Sequence, residues 1–350
     1  AIVLIGLAIS AYFAYYVYNA MFVSNTNFNN DVAYVYVPTN GSYADVREQL
    51  EPLLKNMEAF DALAKQKKYV TNIKAGRYAI KKGMNNNDII NSIRSNNLPI
   101  KLSFNNQESL EKLAGRISAQ IEADSLSLLT AMTDASFLKE NNFNTASSLG
   151  MYIPNSYEFF WNTSAEQFRD RMLKEYNRFW NDTRQTKARE LNLLPNQVIT
   201  LASIVHEESK AIDEQPRIAG VYLNRLRIGM PLQADPTLKF AAYQLPQYQN
   251  TIIKRVLNIH KEIDSPYNTY KNLGLPPGLI AMPDISAIDA VLNYEKHEYL
   301  YFVADGDGGH NFSKTLTEHN QNIQKWLKKI RNKKDCKTCS KICRTKTAKS

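Results

Sequence analysis

Cysteine is missing from the first 335 residues, and all three copies stand near the carboxyl end as Cys336, Cys339 and Cys343. Disulfides therefore cannot hold the body of the chain together, which must rest on an apolar core. The spacing of the three hints at a metal, but a closed zinc site wants four ligands and only three are local. No metal or organic cofactor is expected. There is no Gly-x-Ser-x-Gly to seat a serine nucleophile. Gly306-Asp307-Gly308-Gly309 has no Gly-Lys-Ser/Thr ending, so it reads as a hairpin turn between Tyr299–Ala304 and His310–Phe312, not as a phosphate loop. His206-Glu207 opens like a zinc-protease motif, but position 210 is Lys instead of His and the motif fails.

Charge is absent from residues 1–23, AIVLIGLAISAYFAYYVYNAMFV, and no Lys or Arg follows until Arg47. A stretch of that length and apolarity can span a bilayer, and Tyr12, Phe13, Tyr15, Tyr16, Tyr18 and Phe22 suit an interfacial aromatic belt. A cleaved signal peptide would be shorter and would end in a small-x-small site. A buried core helix fits poorly with the polar segment that follows. The stretch reads as a single-pass anchor in the inner (cytoplasmic) membrane. The basic-residue gap after it places the body on the periplasmic or extracytoplasmic side.

The net charge of +9 misleads, because Lys325–Ser350 holds 11 Lys/Arg against one Asp, leaving 32 basic and 33 acidic residues before it. A nearly neutral body asks for no nucleic-acid partner. The basic tail reads as a solvated, disordered end, dispensable for chemistry.

With 350 residues, 44% of them hydrophobic, the chain can build two folded domains of α+β class behind the anchor. Residues 24–30 form a polar, Asn-rich linker. Residues 31–98 read as strand (Asp31–Pro38), helix (Ser42–Leu54), helix (Met57–Lys67), strand (Gly76–Ile80) and short helix (Asn87–Ser95). A larger domain over 99–324 opens with a strand at Ile100–Phe104. Helices follow at Gln107–Ala123, Ser125–Thr133, Ala165–Asp182, Asn196–Ile212 and Glu214–Ile228. Asn196 is the expected cap of the fourth of these, and Leu275-Pro276-Pro277-Gly278 reads as a type II turn.

The stretch of greatest chemical interest is Ile199–Ile212, ITLASIVHEESKAI. At about 100° per residue, Leu201, Ile204, Val205 and Ile212 form an apolar stripe with Glu208 in its middle, Glu207 at its edge and His206 on the far side. A carboxylate on a face meant for burial loses solvation, which raises its pKa and suits a general acid. The alternative is a glutamate paired with an arginine or hydrogen-bonded at a helix end.

Downstream come RIAGVYLNRLRIGMPLQADPT (Arg217–Thr237), SPYNTY (Ser265–Tyr270), GLPPGLIAMP (Gly274–Pro283) and YLYFVADGDGGHNF (Tyr299–Phe312). In this order the series resembles the YceG-like endolytic murein transglycosylases, membrane-anchored enzymes that cut peptidoglycan glycan strands. The likeness is strong from about Tyr152 to His319. The family's A-S-I-(I/V)-E-K-E run corresponds to Ala202–Glu208, which implies that Glu208 is the catalytic acid. His206 and Glu207 replace the usual Glu and Lys. Asn155 stands where the family's (F/L)-P-D-T-Y-like turn has Asp. The resemblance further implies a small LysM-like, glycan-binding type of module over 31–98. No motif of the family lies beyond Asn320.

Sugars offer apolar faces rimmed by hydroxyls, so aromatic walls interleaved with amides and carboxylates suit a glycan cleft. Gln233, Asp235, Thr237, Tyr267, Asn268, Thr269, Tyr270 and His310 are the candidates to line it. Taken singly each has a plainer reading: Asp235 before Pro is a common turn opener, and Tyr267 or Tyr270 could be core. The resemblance implies non-hydrolytic cleavage of the MurNAc–GlcNAc β-1,4 bond to a 1,6-anhydro end, ending nascent strands, with peptidoglycan synthases as possible partners. The alternatives are a hydrolytic muramidase, with Asp235 as the second carboxylate, and a non-catalytic wall-binding scaffold.

Overall fold

The computed structural model describes residues 2–249 and 251–347. The chain is α+β, with three separate two-stranded antiparallel sheets among the described residues. It groups into two compact units, each assembled from several stretches of chain. The first comprises Ala1–Phe104, Leu113–Ala131 and Asn155–Arg169, the second Asn105–Lys112, Met132–Pro154 and Asp170–Ser350. The interleaving differs from the single cut after residue 98 expected from the chain order.

The first unit begins with α1 (Ile2–Phe22), apolar and long enough over Val3–Phe22 to cross a membrane. Its last turn is tied down. The buried amide of Asn86 donates to the Ala20 carbonyl at 2.7 Å and accepts from Asn25 at 2.7 Å. Residues 24–30 are therefore no loose linker. Asn25 and Thr26 are buried, and Ser24 and Thr26 form isolated bridges with Asn85 and Leu54. Short amide and hydroxyl side chains do this readily, because they reach nearby backbone groups that would otherwise need water.

Strand β1 (Val32–Val37) runs antiparallel to β2 (Gly76–Lys81), with Val32 opposite Lys81 and Val37 opposite Gly76. Between them lie α2 (Tyr43–Leu50) and α3 (Met57–Gln66), and α4 (Asn86–Ser95) follows. Asn56 and Asn85 cap α3 and α4 through their side-chain oxygens. Val35, Val37, Tyr78 and Ile80 point from the strands onto Phe60, Ile89, Ile90 and Ile93. The second sheet pairs β3 (Pro99–Phe104) with β4 (Asn155–Phe160), Phe104 lying opposite Asn155. Asn155, Ser156 and Tyr157 are thus strand residues, where a turn is expected from the sequence. Along the chain between these strands and after them come α5 (Leu110–Ser118), α6 (Ser125–Met132), α7 (Ala135–Glu140) and α8 (Ala165–Phe179). Of these, α7 belongs wholly to the second unit and the others are divided between the two.

The second unit is built around α10 (Pro195–Glu208), which follows α9 (Asp182–Glu190). Every residue of α10 from Val198 to His206 is buried. The expected single apolar stripe is replaced by a helix enclosed by α11 (Gln215–Arg227), α12 (Asp235–Tyr243) and α14 (Ile285–Leu292). A short turn, α13 (Asn258–Lys261), lies between the last two. His206 is buried too, 3.5 Å from Asp284, not on an outer face.

Both ends of α10 also correct the sequence reading. Leu194 is the cap residue and Pro195 the first helical one, a position that suits proline's missing N–H. Asn196 instead accepts from Tyr176 Oη at 3.0 Å and donates to the Asn142 carbonyl at 3.1 Å. At the other end Ser209 turns extended, so the helix stops at Glu208 and Ile212 is left 64% exposed.

The loop Gly274–Pro283 packs along α10, where Ile280 N donates to Ser203 Oγ at 3.1 Å. Gly278 is required here for space and not for a left-handed turn, since its φ is not positive. A Cβ on it would stand 2.0 Å from the Ala146 carbonyl oxygen. The unit closes with β5 (Tyr301–Ala304) against β6 (His310–Ser313), joined by a turn in which Gly306 and Gly308 take φ of 83° and 112°. Helix α15 (Leu316–Thr347) follows and carries the backbone into the basic tail, where a disordered end is expected. No Gly or Pro occurs after Gly309 to break it. The side chains of Cys336, Cys339 and Cys343 lie outside the described residues.

Gly278→Ala should therefore lower unfolding stability by about 1–3 kcal/mol or more, since backbone meets backbone and neither can yield. A urea denaturation midpoint unchanged from the parent chain would contradict this packing.

Candidate active site

Glu208 sits at the carboxyl end of α10, where the enclosed helix meets a cleft of about 530 Å³. Its Oε1 accepts a 2.6 Å hydrogen bond from the hydroxyl of Tyr222, a fully buried side chain on α11. Burial pushes the Glu208 carboxyl up to about 7; Asp235 pushes the same way, while the Tyr222 hydrogen bond and the charges of Lys239 and Arg225 pull it down. Burial also holds Tyr222 well above the usual phenol range, so it stays a neutral donor. With Oε1 occupied as acceptor, the acidic proton belongs on Oε2.

Arg225 would be the natural partner to convert this glutamate into an ion pair. It is buried three residues after Tyr222, and its donors go elsewhere. Nε donates to the Leu300 carbonyl and Nη1 to the Leu232 carbonyl, both at 2.6 Å. It thereby ties α11 to the start of the β5 hairpin and to the loop before α12.

The neighbouring acid faces another way. Glu207 is exposed and pairs with Lys210 at 3.0 Å. It borders a separate depression with Lys112, Pro236 and Lys239. The two adjacent carboxyls therefore serve different surfaces.

The eight candidate contact residues divide into two groups. Gln233, Asp235, Tyr270 and His310 share the cleft with Glu208. Gln233 holds φ at 49°, a strained left-handed conformation for a residue with a Cβ, and its side chain is exposed. Tyr270 donates to Asp235 Oδ1 at 2.7 Å. His310 Nδ1 lies 2.8 Å from Glu214 Oε2, and its backbone N–H donates to Glu214 Oε1 at 2.9 Å.

Thr237, Asn268 and Thr269 are buried and do not line the cleft. The Thr237 and Thr269 hydroxyls lie 2.8 Å apart, and Thr269 accepts from Ala234 N at 3.0 Å, clamping the loop that presents Gln233 and Asp235. Asn268 donates to the carbonyls of Lys261 and Ile263 and accepts from Tyr270 N, fixing the chain behind that tyrosine. Tyr267 packs on Phe240 with centroids 4.6 Å apart. These four are braces: the sequence pattern points to the right loops but cannot separate the exposed residues from their supports.

Tyr222, Arg225, Glu214, Tyr301, Phe302 and Trp326 are not among the sequence candidates. For the first two a signal exists. A tyrosine and an arginine on the apolar face of Ile218 and Val221 must each find a polar partner if that face is buried. The others reach the cleft or hold its lining only through the hairpin and α15, which no local pattern reveals. Among the described residues no group of three or more His, Cys, Asp or Glu side chains is placed to hold a metal ion.

Known proteins are similar to this chain in sequence and in overall fold. An endolytic murein transglycosylase of Bacillus subtilis (strain 168) is 30% identical over 312 residues, covering 84% of this chain and 84% of the relative. An endolytic murein transglycosylase of Streptococcus pneumoniae serotype 2 is 28% identical over 349 residues; there the match covers 91% of this chain and 62% of the longer relative. The crystal structure of a YceG-like protein from Listeria monocytogenes superposes with a TM-score of 0.56 at 30% identity, covering 84% of this chain and 99% of that one. Residues 35–325 match the YceG-like family across both compact units, and the chain belongs to that family.

Proposed function

We propose that this chain is an endolytic lytic transglycosylase of peptidoglycan, with Glu208 as its catalytic acid and then its base. The observation that carries the reading is the Glu208 carboxyl itself: half-buried, held by one neutral hydroxyl, raised to about 7 by lost solvation and opening on a cleft that also presents Gln233, Asp235, Tyr270 and His310. Protonated Glu208 donates its proton to the oxygen of the MurNAc–GlcNAc β-1,4 bond as that bond breaks. The resulting carboxylate takes the proton from the MurNAc 6-hydroxyl, whose oxygen bonds to C1 and gives a 1,6-anhydro end. One carboxyl serves both steps because the nucleophile belongs to the substrate and is held beside C1. Cuts within strands would end their growth. α1 supplies a single-pass anchor with the body exported, and the strand–helix–helix–strand core of the first unit suits a LysM-like positioning module.

Hydrolysis is the second reading, because Asp235 places another carboxylate in the same cleft. Product analysis on purified glycan strands separates the two: 1,6-anhydro ends support the transglycosylase and reducing ends the muramidase. Glu208→Gln should cut turnover by roughly a hundredfold or more while strand binding persists, and Glu207→Gln should act by only a few-fold. Full activity in the first variant with loss in Asp235→Asn would reassign the acid.

The pH dependence has a definite sign. The acid must be protonated, so activity should fall as pH rises through about 7. Removing the Tyr222 hydrogen bond removes an influence that lowers this pKa. Tyr222→Phe should therefore move the alkaline limb of kcat/KM to higher pH as well as reduce kcat. A limb that stays in place would mean that another group titrates.

Export is tested separately. Protease added outside spheroplasts should degrade the chain beyond Ser24, and protection there would reverse the topology.

A further inference from the structure

The cleft that holds Glu208 is also lined from the last helix. Leu316, His319 and Trp326 of α15 all border it. Spacings of three and seven residues place them on one face of a helix, so this is a continuous stripe and not a chance approach.

Three contacts seat that stripe. Tyr301 of β5 stacks on His319 with ring centroids 5.2 Å apart and planes at 25°. Lys329, one turn beyond Trp326, pairs with Asp307 in the β5–β6 turn. Both residues close over Gly306, where a Cβ would stand 3.3 Å from Lys329 Cδ and 3.7 Å from Trp326 Cδ1. The indole is nevertheless only partly buried. A large aromatic held from behind and left open toward a polar cleft has area available for a ligand.

We propose that Trp326 is a sugar-stacking residue of the cleft, its indole covering the C–H face of a β-1,4-linked hexosamine ring. The inference rests on the glycan reading of the site. It concerns a residue outside the stretch 35–325 matched to the family, in a segment whose sequence reads as a dispensable tail. The match is in chemistry: a pyranose face is apolar, its rim carries hydroxyl and acetamido groups, and an indole offers both a flat apolar face and one N–H donor. The functional cleft then extends past Lys325, at least to the Trp326 and Lys329 turn.

Kinetics on purified glycan strands test this. Trp326→Ala should raise KM roughly tenfold with kcat changed by less than about threefold, and Trp326→Phe should recover most of the loss. A fluorescence titration with a soluble β-1,4-linked GlcNAc hexamer covers the case in which Trp326→Ala folds poorly. The parent would be the Glu208→Gln chain carrying Trp161→Phe, so that only Trp180 and Trp326 report. Trp180 is buried, so the hexamer should shift the emission through Trp326, and adding Trp326→Phe should abolish the shift. An unchanged KM in Trp326→Ala, or a shift that survives Trp326→Phe, would overturn the assignment while leaving the glycan reading intact. Failure of the unaltered chain to cleave strands or bind the hexamer would remove the glycan reading itself, and this inference with it.

Discussion

A carboxyl group placed at the edge of an apolar core sets the terms for everything around it. Charged, Glu208 would need a cation or several donors; left without them, it holds its proton well above the usual carboxylate range, up to about 7. The surroundings supply one neutral hydroxyl and keep the buried guanidinium of Arg225 occupied with main-chain carbonyls. That allocation speaks against the arginine-paired reading of this glutamate. An arginine paired directly with it would have produced a structural ion pair with a low pKa and no proton to give. The enclosed helix α10 then holds the group in place, since nothing from Val198 to His206 can move without disturbing three neighbouring helices.

Much of this is legible in the sequence where the pattern is local. Ile89, Ile90 and Ile93 mark the inner face of α4, and the glycine-rich run after Ala304 marks the β5–β6 hairpin, because each signal lies within one element. Glu208 is legible for the same reason: its spacing from Leu201, Ile204 and Val205 is a property of one helix. Strand β4 is not, because its partner β3 lies some fifty residues earlier in the chain. Nor is the burial of His206, which depends on α14 arriving over what looks like an outer face.

The site residues show the same limit at finer scale. Asn, Thr and Tyr suit a sugar rim for the same donors and acceptors that make them good internal braces. Asn268 and Thr269 are consumed by the loop's own carbonyls and N–H groups, whereas Tyr270, next in sequence, reaches Asp235 in the cleft. No composition rule separates neighbours that divide labour in this way; only the direction of each side chain does. Trp326 reverses the error, since a run of lysines around it disguises an aromatic as part of a solvated tail.

The neighbours of Glu208 also bear on how one group could act twice. A pure acid would be best served by burial without cations, and a pure base by cations without burial. Here burial and Asp235 raise the pKa while Tyr222, Lys239 and Arg225 lower it, and the balance falls at about 7. In the proposed reaction the carboxylate formed after the first proton transfer must persist until the 6-hydroxyl attacks. The Tyr222 hydrogen bond and the two positive charges favour that anion, and they do so without closing an ion pair around it. A pKa held near the working pH is the setting at which neither proton transfer is strongly uphill. The residues that limit how far the pKa rises are thus the ones that make its second role chemically reasonable.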